Sequence, residues 1–358
     1  MTDPHEEGAQ NLLVNCAKAN AGEKLLLICE DHTLGWYDRE IANIIDGCAR
    51  NLGLSVARLN VGAPDNEKSA KLTDTMSAYD LSIFLSRIGD QDRFSAKNAP
   101  SRTVMSYARD LRQLSSAYGC THHQALVRLK SAVDTLILSS SRLRITCPLG
   151  TNMEGRITHQ KSHEPTDVSV ERFPLGVAQP VLCNNFSGRV ALTRFLTPTG
   201  SSVYQPATLS IPSIVYAEVE KGQIVNFNGN EDTVTKVHKH YDHIAKLFGI
   251  DGSIVHSFHA GIHPGASYQH SALDDPDRWS NNVFTNPRFL HFHTCGAYAP
   301  GEICWMVLNP TINIDGDNLW EHGKLMAERF QKTRACLDEW PELISLFKNP
   351  SNEIGISV

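Results

Sequence analysis

The chain has 358 residues, of which 41% are hydrophobic and 20% charged, and its formal net charge is −6. This length favours two domains, and the composition supports a packed core, which excludes disorder for most of the chain. The acidic balance argues against a nucleic-acid-binding protein, and no apolar run approaches the roughly 18 residues of a membrane span. Because Met1–Gln10 is polar and contains no secretory signal, we expect a soluble cytoplasmic protein.

The first third of the chain predicts alternating strands and helices. The apolar run Lys24–Cys29 is typical of a buried parallel strand, and apolar residues at helical spacing follow over Asp38–Leu52. Further strands are predicted at Leu54–Val61, Asp80–Leu85 and Thr103–Met105, and helices at Tyr107–Leu114 and His123–Ser139. This order predicts βαβ units, but the first strand is not followed by the G-x-G-x-x-G motif of dinucleotide-binding proteins.

Near Arg144 the pattern changes to short strand-like runs broken by Gly and Pro. Strands are predicted at Arg142–Cys147, Ser187–Leu196, Thr208–Ile211, Ile214–Val219, Gln223–Phe227, Ile254–Phe258 and Arg288–His293, and helices at Asp232–Gly249 and Leu325–Phe347. We therefore predict an α/β fold with two domains. Residues 1–145 form an N-terminal Rossmann-like βαβ domain, and residues 146–358 form a C-terminal α/β domain with a mixed sheet that binds metal.

Histidines are concentrated in one part of the chain, since nine of the sixteen lie between His238 and His293. In a strand, His291 and His293 share one face, whereas Leu290 and Phe292 point to the other, so the two imidazoles can bind one metal ion. The alternative is an exposed strand face that happens to carry histidines. Cys295 is either a soft ligand on the same face or lies beyond the end of the strand.

A second group of histidines precedes a turn rich in Gly and Pro, at Val255–Gly265. One of them, among His256, His259 and His263, can complete the metal site, although each alone is more typical of a structural histidine. The chain contains none of the motifs H-E-x-x-H, G-x-S-x-G and G-x-x-x-x-G-K-[ST]. The nine cysteines form no C-x-x-C pair, which indicates buried small hydrophobic residues.

The chain resembles the M29-type aminopeptidases and their relatives, the iron(II)-dependent 2,5-dihydroxypyridine 5,6-dioxygenases. The resemblance covers most of the chain and is carried by Gly22-Glu23-Lys24, Gly150-Thr151-Asn152, Glu220-Lys221-Gly222, His259-Ala260-Gly261-Ile262 with Pro264, and His291-Phe292-His293. It implies two α/β domains, homo-oligomers, and metal ligands on the last two motifs. In the peptidases the first ligand position is usually Glu, in the dioxygenases it is His, and in both the final pair is His-x-Asp.

The resemblance therefore implies metal ligation by His259, His291 and His293, with His293 at the position of the usual Asp. A two-metal peptidase site needs several carboxylates, which these positions lack. Three imidazoles suit a single iron(II) ion, and the loss of one anionic ligand favours a substrate that binds as an anion.

Our first hypothesis is a mononuclear non-haem iron(II) oxygenase. It would act with O2 on a hydroxylated N-heteroaromatic substrate, similar to a dihydroxypyridine, and give ring opening or ring rearrangement. His159 and His263 are the candidates for proton transfer, and Arg87 is the candidate for holding an anionic substrate. A surface loop residue is the alternative for His159, and a surface salt bridge for Arg87.

The second hypothesis is a zinc-dependent hydrolase, similar to an aminopeptidase, that uses the same three histidines and an activated water. A metal-storing or ligand-binding protein is the third, although ligands on a strand beside a Gly-rich turn are more typical of a preorganised site. An apolar stripe on the helical tail after Leu325 offers a surface for the implied homo-oligomer.

Overall fold

The computed structural model describes residues 4–64, 70–92, 101–157, 170–198, 204–296 and 301–356. The strands of this part of the chain are β1 Lys24–Glu30, β2 Ser55–Val61, β3 Leu81–Leu85, β4 Arg102–Ser106, β5 Arg142–Thr146, β6 Asn152–Arg156, β7 Glu171–Phe173, β8 Val181–Leu182, β9 Phe186–Thr197, β10 Leu209–Glu220, β11 Gln223–Asn228, β12 Val255–Ala260, β13 Phe289–Cys295, β14 Glu302–Leu308, β15 Thr311–Ile314, β16 Asp317–Glu321 and β17 Lys324–Leu325. Its α-helices are α1 Pro4–Gln10, α2 Arg39–Asn51, α3 Ala70–Met76, α4 Leu111–Ser115, α5 Ala117–Cys120, α6 His123–Ser139, α7 Glu231–Phe248, α8 Pro276–Val283, α9 Gln331–Glu339 and α10 Pro341–Lys348.

A parallel sheet is formed by the early strands. Among the described residues it has five strands in the order β2-β1-β3-β4-β7. The side chains of β1 and β3 are mostly apolar because both faces of the sheet are covered, and every residue of β3 is buried. The chain runs from β1 to β2 on one side and then returns to β3 on the other, so the strand order reverses between β1 and β3. In open parallel sheets, ligands bind beyond the carboxyl ends of the strands at such a point.

A larger, antiparallel sheet contains the remaining strands. Its twelve described strands follow the order β17-β16-β15-β5-β6-β9-β14-β13-β12-β8, and β10 and β11 extend it from β9. Strands β13 and β14 are buried along their whole length, at the centre of this sheet. The largest hydrophobic core packs on one face of the sheet and includes Leu290 and Phe292 of β13 and residues of α6. The α/β class is therefore confirmed, but the prediction of a mixed sheet in the C-terminal part was wrong, because all described pairings of the larger sheet are antiparallel.

Close to the predicted domain boundary at residue 145, the chain passes from the parallel sheet to the antiparallel sheet and back. Strand β5 pairs with β6 and β15 in the antiparallel sheet, whereas β7 returns to the parallel sheet and pairs with β4. The division into domains 1–145 and 146–358 stays a prediction.

Helix boundaries follow the capping residues more closely than the apolar pattern. Helix α7 begins after Asn230, whose side chain accepts a hydrogen bond from the main-chain N–H of Thr233, and ends at Gly249, with a φ of 63°. Helix α4 starts only after Asp110, so the prediction of a helix from Tyr107 was wrong at its first turn. The predicted tail helix begins later than Leu325, at α9, because Leu325 pairs with Trp320 in the sheet. In the described part of the chain, no helix combines the length and apolarity required to cross a membrane.

Candidate metal centre

The three predicted ligands lie on two paired strands of the antiparallel sheet. Strands β12 and β13 run antiparallel, with His259 directly opposite His291, and Ser257 opposite His293. Since alternate residues of a strand share a face, all three imidazoles lie on the same face of the sheet. The prediction that Leu290 and Phe292 point to the other face is confirmed, because both belong to the main hydrophobic core.

The three imidazoles converge on one point. One ring nitrogen from each of His259, His291 and His293 lies within 4.8 Å of the other two, and all three residues are buried. The ring centroids are 4.9 to 5.2 Å apart, and the rings of His259 and His291 are stacked. No other group of three or more potential ligand residues lies this close together in the described part of the chain. This spacing can place three nitrogens around a single ion.

Outer hydrogen bonds orient two of the three rings. The Nδ1 atom of His259 lies 3.1 Å from the main-chain oxygen of Ala178, and Nδ1 of His293 lies 2.7 Å from Oε1 of Glu302. Both oxygens accept, so each Nδ1 carries a hydrogen, and in the neutral form of each ring Nε2 keeps its lone pair. The Nε2 atom of His293 is buried and has no hydrogen-bond partner among the described residues. A buried lone pair without a donor is the condition expected at a metal-binding nitrogen.

The charge state of the cluster also fits a metal ion. Burial lowers the pKa of His259 well below its usual value, and His293, His291 and Arg172 lower it further, against the hydrogen bond to Ala178. His259 is therefore neutral at physiological pH, as metal ligation requires. Three neutral imidazoles suit iron(II) or zinc, so the donor set fits the implied group without choosing between the two metals.

Glu302 is a site residue that the sequence analysis missed. It is the first residue of β14 and lies opposite Cys295, diagonally across from His293. Its side chain is 1% exposed and accepts the hydrogen bond from His293. Carboxylates in this position fix the tautomer and raise the basicity of the ligating histidine. Position 293 thus carries no carboxylate, but the carboxylate of Glu302 hydrogen-bonds the ring of His293.

Apolar side chains close the centre on one side. Phe284, which follows helix α8, stacks on His291 with ring centroids 4.8 Å apart, and it belongs to a second cluster with Phe289, Trp279 and Met306. Cys295 does not join the three histidines; it is part of the main hydrophobic core, and burial raises its pKa to about 11. The possibility of a soft thiolate ligand at Cys295 is therefore wrong for this structure.

His263, a predicted proton-transfer residue, is fully buried beside Tyr118. Its Nε2 lies 3.1 Å from the main-chain oxygen of Tyr118, and its Nδ1 accepts from the main-chain N–H of Gly265 at 3.2 Å. Both ring nitrogens thus contact the main chain, which gives His263 a structural role in the free protein. Its part in proton transfer stays a prediction.

We expect His263 to make the protein less stable in acid. Burial lowers its pKa to about 4, against the weaker effect of the hydrogen bond to the main-chain oxygen of Tyr118, whereas a histidine of the unfolded chain titrates near 6.5. Between these values the unfolded state binds more protons, so this part of the stability is present above pH 6.5 and lost as the pH falls towards 4. At about 1.4 kcal/mol per pKa unit, the loss is on the order of 3 kcal/mol.

Urea unfolding of the wild-type protein and the His263→Gln variant at several pH values between 7 and 4 measures this effect. The variant is expected to be less stable at pH 7 but to lose less stability on acidification. His123 and His240, whose pKa values burial also lowers to about 4, contribute equally to both proteins. Two curves with the same pH dependence would contradict the expected protonation of His263.

Arg87, the predicted substrate-binding residue, forms its described contacts away from the three histidines. Arg87 follows β3 and forms a buried ion pair with Glu30 at the end of β1, with distances of 2.6 Å and 2.9 Å to Oε1. The alternative of a surface salt bridge is thus replaced by a buried one. The role of Arg87 in substrate binding stays a prediction. His159 lies outside the described residues.

Comparison with solved structures identifies similar folds at low sequence identity. The chain resembles a 2,5-dihydroxypyridine dioxygenase from Pseudomonas putida KT2440, with a TM-score of 0.63 and 12% identity, over 93% of this chain and 100% of the other. It also resembles the AmpT aminopeptidase from Thermus thermophilus, with a TM-score of 0.55 and 11% identity, over 90% and 99% of the two chains. No protein-family model and no curated protein sequence matches the chain. The predicted resemblance is confirmed at the level of structure, since the chain shares its fold with both of these proteins.

Proposed function

We propose that this protein is a mononuclear non-haem iron(II) oxygenase. Its substrate is a hydroxylated N-heteroaromatic compound, similar to a dihydroxypyridine, and the product is a ring-opened or rearranged compound. The observation that carries this proposal is the cluster of His259, His291 and His293, buried and without a carboxylate among the converging groups of the described chain. A two-metal peptidase centre needs bridging carboxylates, and this cluster supplies none.

The side chains of the centre have separate tasks in this proposal. His259, His291 and His293 would hold the ion. When bound, iron(II) supplies redox chemistry between an electron-rich ring and O2. Glu302 keeps His293 oriented and polarised, and Ala178 does the same for His259. Phe284 covers His291 with an apolar ring and so excludes water from that flank.

A zinc-dependent hydrolase is the second candidate function. It is favoured by the likeness of the fold to the AmpT aminopeptidase, and three histidines around zinc leave a fourth position for an activated water. The two candidates use the same ligands, so the metal and the consumption of oxygen distinguish them.

The test is anaerobic purification, measurement of bound metal, and measurement of oxygen uptake with 2,5-dihydroxypyridine and related hydroxypyridines. We expect oxygen uptake that depends on added ferrous iron and on the hydroxypyridine together. Full occupancy by zinc, with no oxygen uptake and no gain on adding ferrous iron, would reject the oxygenase. Release of amino acids from peptides by the zinc-loaded protein would then support the hydrolase.

A further inference from the structure

Arg109 is a buried charge that the proposed chemistry does not yet use. It follows β4, at the carboxyl edge of the parallel sheet, and has no exposed surface. All three nitrogens of its guanidinium group are buried and have no hydrogen-bond partner in the described chain. A buried charge without a partner costs several kcal/mol, so proteins seldom keep one without a ligand.

Aromatic side chains hold this guanidinium group in place. Its Cζ atom lies 4.7 Å from the ring centroid of Trp36 and 5.6 Å from that of Tyr37. The Arg87 Cζ atom lies 4.1 Å from the same Trp36 ring, but Arg87 is paired with Glu30. Stacking on aromatic rings fixes the plane of a guanidinium and leaves its N–H edge available for a ligand.

A chain of hydrogen bonds links the main chain of Arg109 with helix α8, which borders the candidate metal centre. The main-chain N–H of Arg109 donates to Oε1 of Gln113, and Nε2 of Gln113 donates to Oδ1 of Asn282, on α8. Phe284, at the end of α8, stacks on His291. The charge of Arg109 also lowers the pKa of Tyr118, against a larger rise from burial, and the ring of Tyr118 packs against His263.

We propose that Arg109 binds the carboxylate of an anionic ligand and that, resting on the proposed function, this ligand is a hydroxylated N-heteroaromatic substrate that carries a carboxylate group. The planar N–H edge of arginine matches the two oxygens of a carboxylate. Glu30 is paired with Arg87, and the buried carboxylate of Asp90 accepts a hydrogen bond from Tyr107. Neither carboxylate hydrogen-bonds the guanidinium group of Arg109, so a ligand with a single negative charge matches it. A dianionic phosphate would leave negative charge in a buried site.

The probes are 6-hydroxynicotinate and its neutral amide, 6-hydroxynicotinamide, which differ only in the anionic group. Binding to the full-length protein as purified is measured by titration calorimetry under anaerobic conditions, where no turnover occurs. We expect the carboxylate to bind and the amide to bind at least about 30-fold more weakly, as for a buried charge pair that loses one partner. Arg109→Met is expected to weaken carboxylate binding by the same factor.

Thermal unfolding without ligand separates a ligand-binding role of Arg109 from a structural one. Arg109→Met removes an unpartnered buried charge and should raise the midpoint temperature, whereas Arg87→Met removes the partner of Glu30 and should lower it. Arg128→Gln, at an exposed ion pair with Glu339, serves as the unchanged control.

Three results would overturn this proposal: equal binding of the two probes, no binding of either, or an Arg109→Met variant that binds normally or is destabilised. These measurements do not involve oxygen, so they test the anion site separately from the oxygenase activity. Either proposal can be rejected while the other is supported.

Discussion

Replacement of His291 by alanine is expected to abolish high-affinity metal binding. His291 supplies one of three converging nitrogens, and two imidazoles alone hold iron(II) or zinc weakly. Loss of an outer partner of a metal ligand typically costs 10- to 100-fold in affinity, so we expect loss of a ligand to cost more than about 100-fold. Metal content after purification and titration with ferrous iron or zinc measure the effect.

The stability of the protein provides a second measure of the same change. A metal that binds only the folded state at 100 times its dissociation constant adds about 2.7 kcal/mol to the free energy of unfolding. We expect this gain for the wild-type protein and for His270→Ala, an exposed histidine, but not for His291→Ala. Because alanine also leaves a gap beside Phe284, His291→Asn is the matched variant that retains polar volume. Full metal binding by either His291 variant would show that the ligand set is wrong.

The alternation of side chains along β13 could be predicted because it depends only on neighbouring residues. An apolar residue at every second position predicts which face of a strand is buried. This pattern predicts that His291 and His293 lie on the same face of β13. The contribution of His259 depended on resemblance, because its position opposite His291 is set by the register of two strands about 30 residues apart. Local patterns do not determine such a register.

Glu302 and Arg109 could not be identified from the sequence, because their roles also depend on residues distant in the chain. Glu302 reaches His293 only because β14 pairs with β13 in one register, and nothing in the local sequence around Glu302 indicates that pairing. The guanidinium group of Arg109 is buried and has no hydrogen-bond partner among the described residues. This can be recognised only from the three-dimensional structure around it. Arg87 shows the opposite outcome, since its partner Glu30 lies 57 positions earlier in the chain.

A carboxylate at position 293 is expected to function only if Glu302 changes as well. In His293→Asp, two carboxyl groups would face each other in a buried site, so one of them must stay protonated or the structure must move. The variant also loses the hydrogen bond between His293 and Glu302, and hydrogen bonds to charged groups contribute about 1.5–3 kcal/mol. We expect lower stability and weaker metal binding than in the wild-type protein.

The double variant His293→Asp with Glu302→Gln should recover much of what the single variant loses. The glutamine amide can donate to the new aspartate, which is then free to ligate in the two-His, one-carboxylate pattern implied by the resemblance to the dioxygenases. Glu302→Gln alone is expected to weaken metal binding about 10- to 100-fold, because His293 loses its carboxylate partner. Metal affinities of the four proteins form a double-mutant cycle, and the two changes must be strongly non-additive if the residues act as a pair. If the losses of metal-binding free energy from the two changes are additive, Glu302 does not influence which residue at position 293 can bind the metal.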